Sequence, residues 1–190
     1  AHDIMCKIGE VVVVGGVRRS ACICLTNLSD DRMRLAKSGQ WWIEHSERYL
    51  ANISVAYTEK PDIGQFMEEW LSLYNSKSGE RGIFNRVAAV KKIKNIGRRN
   101  PSHIQENGGM NPCGEIVLRS CQFCNLSEVI IRENDTLEDV LEKVRIATII
   151  GTHQATFTNF RYLRSIWKKN TEEERLLGVS LTGIMDHKVF

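Results

Sequence analysis

Residues 10–25 read Glu10-Val-Val-Val-Val-Gly-Gly-Val-Arg-Arg-Ser-Ala-Cys-Ile-Cys-Leu25. A β-branched run is followed by a polar turn with two glycines and then by a second apolar run. That is the pattern of strand, loop, strand. Val11 to Val14 are apolar without alternation, which suits a strand buried on both faces, as in a parallel sheet covered by helices. Downstream, Ser29 or Asp30 is a candidate N-cap for short helical turns before Ser38. Lys60-Pro61-Asp62 opens a helix predicted over about 63–76, with Phe66, Met67, Trp70, Leu71 and Tyr74 on one face. Asn75 to Gly82 is a polar turn, and a further helix is predicted to run to Lys92. Asn95 to Asn111, rich in Gly, Asn and Pro, reads as a long loop, a kind of segment that is often functional. Ile116 to Leu118 and Asn125 to Arg132 read as short extended pieces. Thr136-Leu-Glu-Asp139 resembles a capping box and predicts a helix over roughly 137–158, buried on Val140, Leu141, Val144, Ala147, Thr148 and Ile150. A helix over 159–170 and a strand over Leu176 to Met185 complete the pattern. Thr171-Glu-Glu-Glu174 has the form of another capped start, but the apolar run after it reads better as that strand. Helices alternating with buried strands place the chain in the α/β class.

The chain has 190 residues, of which 42% are hydrophobic and 26% charged, the composition of a soluble globular protein. Its length fits one domain or a piece of a larger one. No apolar run approaches the roughly 20 residues that span a bilayer, and the N-terminus has no secretory pattern. The formal net charge of +3 excludes a strongly basic nucleic-acid coat. Six cysteines are too few for a disulfide scaffold and read as catalytic, metal-binding or buried thiols. The chain starts at Ala1 and stops at Phe190 just after a strand-like run, so a segment of a longer protein is expected.

The densest chemical signal is Asn111-Pro112-Cys113-Gly114-Glu115. If this stretch is extended, the side chains at 111, 113 and 115 point to the same side. A carboxylate there takes a proton, a thiol serves as nucleophile or hydrogen-atom donor, and an amide orients a hydroxyl. Pro112 and Gly114 shape the backbone. The spacing alone is equally compatible with a loop holding a buried cysteine and a solvated glutamate.

Asn111-Pro-Cys-Gly-Glu115, followed by Cys124-Asn-Leu126, resembles the active-site loop of ribonucleotide reductases. Gly15-Gly-Val-Arg-Arg-Ser-Ala21, Ser78-Gly-Glu-Arg-Gly-Ile-Phe-Asn-Arg86, Gln122-Phe-Cys-Asn-Leu-Ser-Glu-Val129 and Leu176-Leu-Gly-Val-Ser-Leu-Thr-Gly-Ile-Met-Asp186 are similar, in order, to stretches of the adenosylcobalamin-dependent (class II) branch. The resemblance implies a segment, 1–190, of a ten-stranded α/β barrel, incomplete at both ends, with Cys113 on an internal loop. It implies reduction of ribonucleotides to deoxyribonucleotides by a cytoplasmic enzyme, with adenosylcobalamin as the source of a thiyl radical on Cys113. That radical removes the 3′ hydrogen, Glu115 takes the 3′-hydroxyl proton, Asn111 hydrogen-bonds the ribose hydroxyls, and the 2′-hydroxyl leaves as water. A barrel interior shields such a radical from side reactions. The implied partners are a ribonucleotide substrate, a nucleotide effector and a thioredoxin-like reductant, with no membrane and no nucleic acid bound directly. Triphosphates are the expected substrates, because the motifs resemble the monomeric branch.

Cys124 matches one member of the redox-active pair, whose partner lies upstream of Ala1, so the isolated 190 residues are expected not to turn over. Cys22 and Cys24 read as buried thiols. The loop Gly15, Gly16, Val17, Arg18, Arg19 and Ser20 matches one that links the allosteric specificity site to the substrate base. Its glycines permit close approach, and its arginines suit phosphates or base edges. The same loop also reads as a surface turn with solvated arginines. Arg81, Asn85 and Arg86 are further candidates to lie near a nucleotide. The basic run from Arg86 to Arg99 reads as a solvated face. Two other readings compete. One is a fragment of the large subunit of a class I ribonucleoside-diphosphate reductase, whose radical arrives from a partner subunit. The other is a zinc-containing nucleic-acid-binding module built on Cys121-x-x-Cys124. Zinc normally needs a second pair of ligands, which Cys22-x-Cys24 does not offer, so no metal site is expected.

Overall fold

The computed structural model describes residues 1–16 and 19–187, in two compact units, 1–120 and 121–190. The architecture is α/β with parallel strands in both units.

The first unit opens with a helix, α1 (His2–Val14). Val11 to Val14 are therefore helical and not a strand. Val11 and Val14 are 65% and 80% exposed, so the two-sided burial that would favour a strand is missing. The helix is anchored at its other end. Asp3 accepts two hydrogen bonds from Arg48, each 2.7 Å, and Cys6 is buried. Then follow β1 (Cys22–Thr26), α2 (Asp31–Arg34), α3 (Trp41–Glu44), a 3-10 turn (Ser46–Leu50) and β2 (Ala51–Tyr57). Next come α4 (Ile63–Ser76), β3 (Gly82–Asn85), α5 (Arg86–Ile96), α6 (Ser102–Gln105) and the short strands β4 (Gly109–Met110) and β5 (Val117–Leu118).

The strands β1, β2 and β3 form a parallel sheet in that order, with Cys22 opposite Ala51 and Ser54 opposite Gly82. The central strand β2 is buried at every position except Asn52. Ala51, Ile53 and Val55 are at most 1% exposed, and burying each larger apolar side chain is worth about 1.5–3 kcal/mol. Side-chain N-caps open α2, α4 and α5. Asp30, Asp62 and Asn85 accept from the backbone N–H three residues on, at 3.1, 3.0 and 2.9 Å.

The helix α4 has its expected bounds but not its expected face. Glu69 is its buried residue, whereas Met67, Trp70, Leu71 and Tyr74 are all more than half exposed. The reason is Arg81. It is 2% exposed and forms a bidentate pair with Glu69, with Nε to Oε2 at 2.7 Å, and its Nη1 donates to Thr26 Oγ1 at 2.7 Å. A buried guanidinium requires a facing carboxylate, so the charge, not the apolar stripe, sets the rotation of α4.

The second unit is a β–α–β arrangement. Strand β6 (Asn125–Ile130) pairs in parallel with β7 (Leu177–Thr182) through α7 (Leu137–Gln154) and α8 (Ser165–Glu174). The capping box forms as expected, with Asp139 N–H to Thr136 Oγ1 at 3.2 Å and Thr136 N–H to Asp139 Oδ2 at 2.9 Å. The buried line of α7 is Val140, Ala147 and Gly151, while Leu141 and Ile150 are exposed. A Cβ at Gly151 would meet Leu177 Cδ1 at 2.2 Å, so the absent side chain is what lets α7 lie directly on β7. The helix expected over 159–170 begins at Ser165, and Thr171 is buried near its end instead of starting another.

Candidate functional site

Strands β4 and β5 pair antiparallel, Gly109 with Leu118 and Met110 with Val117. They lift residues 111–116 as the tip of a hairpin. The tip is a turn, not an extended stretch: the Gly114 N–H reaches the Asn111 carbonyl at 3.0 Å. Gly114 sits at φ +85°, a backbone state that favours glycine. Chain reversal rather than strand alternation thus brings the polar groups together. Asn111 Nδ2 donates to Glu115 Oε1 at 2.6 Å, and Asn111 Oδ1 accepts from the Ile116 N–H at 3.0 Å. The Asn111 amide is thereby fixed in orientation. Its second amide hydrogen and Glu115 Oε2 have no protein partner among the described residues. A donor and an acceptor side by side are the complement of a vicinal diol. Cys113 is exposed between them in sequence, so it is not the buried cysteine of the alternative reading.

Three tethers hold this hairpin in the first unit. Asn52 Nδ2 donates to the Pro112 carbonyl at 2.6 Å, Arg99 Nη1 to the Val117 carbonyl at 2.8 Å, and Arg86 Nε to the Gly108 carbonyl at 2.9 Å. Arg86 therefore serves the hairpin stem, Asn85 caps α5, and Arg81 is committed to Glu69. Asn52 carried no signal in the sequence beyond being a polar residue in a stretch that folds as a buried strand.

The other cysteines differ. Cys6 is 1% exposed, and burial, with Cys22 beside it, pushes its thiol up to about 11. Burial also raises Cys24. Cys124 lies in the second unit, half-buried, immediately before β6. Its neighbour Phe123 packs against Phe160 and Trp167 at ring distances of 4.9 and 4.7 Å. In the loop after α1, Gly16 takes φ +71°, Arg19 is exposed and Ser20 is half-buried. Val17 and Arg18 lie outside the described residues. Among the described residues, the cluster with metal-ligand spacing is Asp3, His45 and Glu47; it contains no cysteine, and its Asp3 is held by Arg48. No helix among the described residues is long and apolar enough to cross a membrane.

The chain is 32% identical over 188 residues to an adenosylcobalamin-dependent ribonucleoside-triphosphate reductase of Lacticaseibacillus paracasei. It is 32% identical over 192 residues to the enzyme of that name in Lactobacillus gasseri, and 33% over 195 residues to that in Lactobacillus helveticus. Each match covers 98% of this chain and 24% of the relative. The chain is thus homologous, over nearly all its length, to a segment of adenosylcobalamin-dependent ribonucleoside-triphosphate reductases, and it spans about a quarter of their length. No family model and no solved structure matches it.

Proposed function

We propose that these residues form the radical-loop segment of a ribonucleoside-triphosphate reductase that depends on adenosylcobalamin. The observation that carries this is the Asn111–Glu115 pair at 2.6 Å around an exposed Cys113, in a chain that matches such reductases along 98% of its length. An exposed thiol on a tethered turn suits hydrogen-atom transfer to an external oxidant. Adenosylcobalamin, when bound, supplies the radical that takes the hydrogen atom from the thiol.

The residues of this chain then divide the work. The Cys113 thiyl takes the ribose 3′ hydrogen and later returns it. Glu115 Oε2 accepts the 3′-hydroxyl proton, and the second amide hydrogen of Asn111 holds a ribose hydroxyl. The 2′-hydroxyl departs as water, and two thiols become a disulfide, which balances the reduction. Cys124 is one of those thiols, and a cysteine outside this chain is the other. A thioredoxin-like dithiol reduces the disulfide again. The loop Gly15 to Ser20 serves a nucleotide effector, the three-stranded sheet and the β6–β7 pair contribute strands to a larger barrel, and the enzyme works in the cytoplasm. Cys113→Ser in the full-length protein tests the reading: turnover of ribonucleoside triphosphates should vanish while the thermal midpoint stays within a few degrees. Substantial deoxynucleotide formation by that variant would remove Cys113 from its role.

A further inference from the structure

We infer that Asn52 is a positioning residue for Cys113, acting through the peptide unit between Pro112 and Cys113; this rests on the reading of Cys113 as the radical site. The Asn52 amide donates to the Pro112 carbonyl at 2.6 Å. Pro112 has no N–H, so that carbonyl is the one backbone hydrogen-bonding group the residue has. The carbonyl lies in the peptide plane from which Cys113 departs. Fixing it fixes the plane, and with it the direction in which the Cys113 side chain leaves the turn. The other two tethers act lower down, on Gly108 and Val117, and hold the stem. Asn52 alone among the three reaches the tip.

The anchor is well chosen for rigidity. Strand β2 is the middle strand of the sheet, paired with β1 through Ile23 opposite Asn52 and with β3 from Ser54 onward. Its other six residues are buried. Asparagine is disfavoured in strands, so its presence in this strand calls for a compensating interaction, and the Pro112 carbonyl supplies one. A second contact places the hairpin over the same face: a Cβ on Gly109 would come within 3.2 Å of Leu25 Cδ1, and Leu25 is on the face shared by Ile23 and Asn52. The sheet therefore aims the thiol through one hydrogen bond. For a hydrogen-atom transfer, small errors in aim cost rate rather than binding.

The test uses the full-length protein carrying Asn52→Ala, and Asn52→Asp as a near-isosteric variant that lacks the donor. Without cofactor or nucleotide, amide hydrogen exchange over residues 109–118 should speed up severalfold in both variants, while peptides from β2 stay protected. With substrate and adenosylcobalamin, kcat should fall about tenfold at unchanged KM, and more in Asn52→Asp, whose carboxylate repels the Pro112 carbonyl. Unchanged hairpin exchange in both variants, or kcat within twofold of the parent, would overturn the assignment. Cys113→Ser, run alongside, keeps the two readings apart. If that variant still turns over, the radical-site reading fails, whereas flat Asn52 variants beside an inactive Cys113→Ser variant fail the positioning role alone.

Discussion

The two faces of the three-stranded sheet treat polar groups in opposite ways. One face, with Ile23, Leu25 and Asn52, carries the hairpin, and there a thiol is displayed: Cys113 is exposed on a turn whose tip is tethered by the Asn52 amide and whose stem is tethered by Arg86 and Arg99. The other face, with Cys22, Cys24 and Thr26, carries α1 and the Arg81–Glu69 pair, and there Cys6 and the charge pair are buried, while Cys22 and Cys24, expected to be buried, are only half-buried. Enclosure raises the Cys6 thiol to about 11 and makes it a poor thiolate. The same residue type is thus open to reaction on one side of the sheet and packing on the other, and accessibility and tethering make the difference.

The largest expected effect is on turnover. In the full-length protein Cys113→Ser should abolish it, whereas Cys6→Ser should leave it within about twofold, since nothing places Cys6 beyond the enclosed face. Loss of turnover in both variants would break the comparison. Next in size is the charge enclosed beneath the sheet. Glu69→Ala strands the buried Arg81 and should cost about 3–5 kcal/mol in denaturant unfolding. A loss under 1 kcal/mol would mean that Arg81 reaches water once its partner is gone. The third effect is chemical. Alkylation of Cys6 in the native chain should be about a hundredfold slower than in urea, because burial pushes its thiol up to about 11 and leaves little thiolate to react. Cys113, already exposed, should gain little on unfolding. Mass spectrometry of the two peptides reads both ratios.

Much of this contrast was hidden in the one-dimensional pattern. The helices with side-chain caps, at Asp62 and Thr136, were legible because the capping atoms lie within three residues of the groups they satisfy. The Val11–Val14 helix was not, because a run of valines favours a strand until tertiary contacts such as Asp3 with Arg48 decide otherwise. The rotation of α4 was likewise illegible, since its determinant, Arg81, sits 12 residues from Glu69. At the site, Asn111, Cys113 and Glu115 were legible as a cluster, but alternation suggested an extended stretch where a turn makes the contact. Asn52, 60 residues from Pro112, becomes visible only when the hairpin folds back over β2.

The smallest effect expected concerns the anchor of α1. Arg48 hydrogen-bonds the Asp3 carboxylate and holds its pKa far below the usual carboxylate range. A carboxyl depressed in the folded state adds stability above its unfolded pKa, about 3.9, and loses it as pH falls toward the folded value. The carboxylate is 46% exposed, so solvent screens the pair and the contribution is about 1 kcal/mol at most. At pH 6, Asp3→Asn should therefore loosen α1 by that amount, read as faster amide exchange over residues 2–14 and faster alkylation of Cys6. Below about pH 3 the difference between parent and variant should shrink. The alkylation arm ties this small effect to the larger contrast: if α1 frays, Cys6 should move toward the accessibility of Cys113, and a Cys6 that stays equally slow in Asp3→Asn would show that the face is closed by packing rather than by the ion pair.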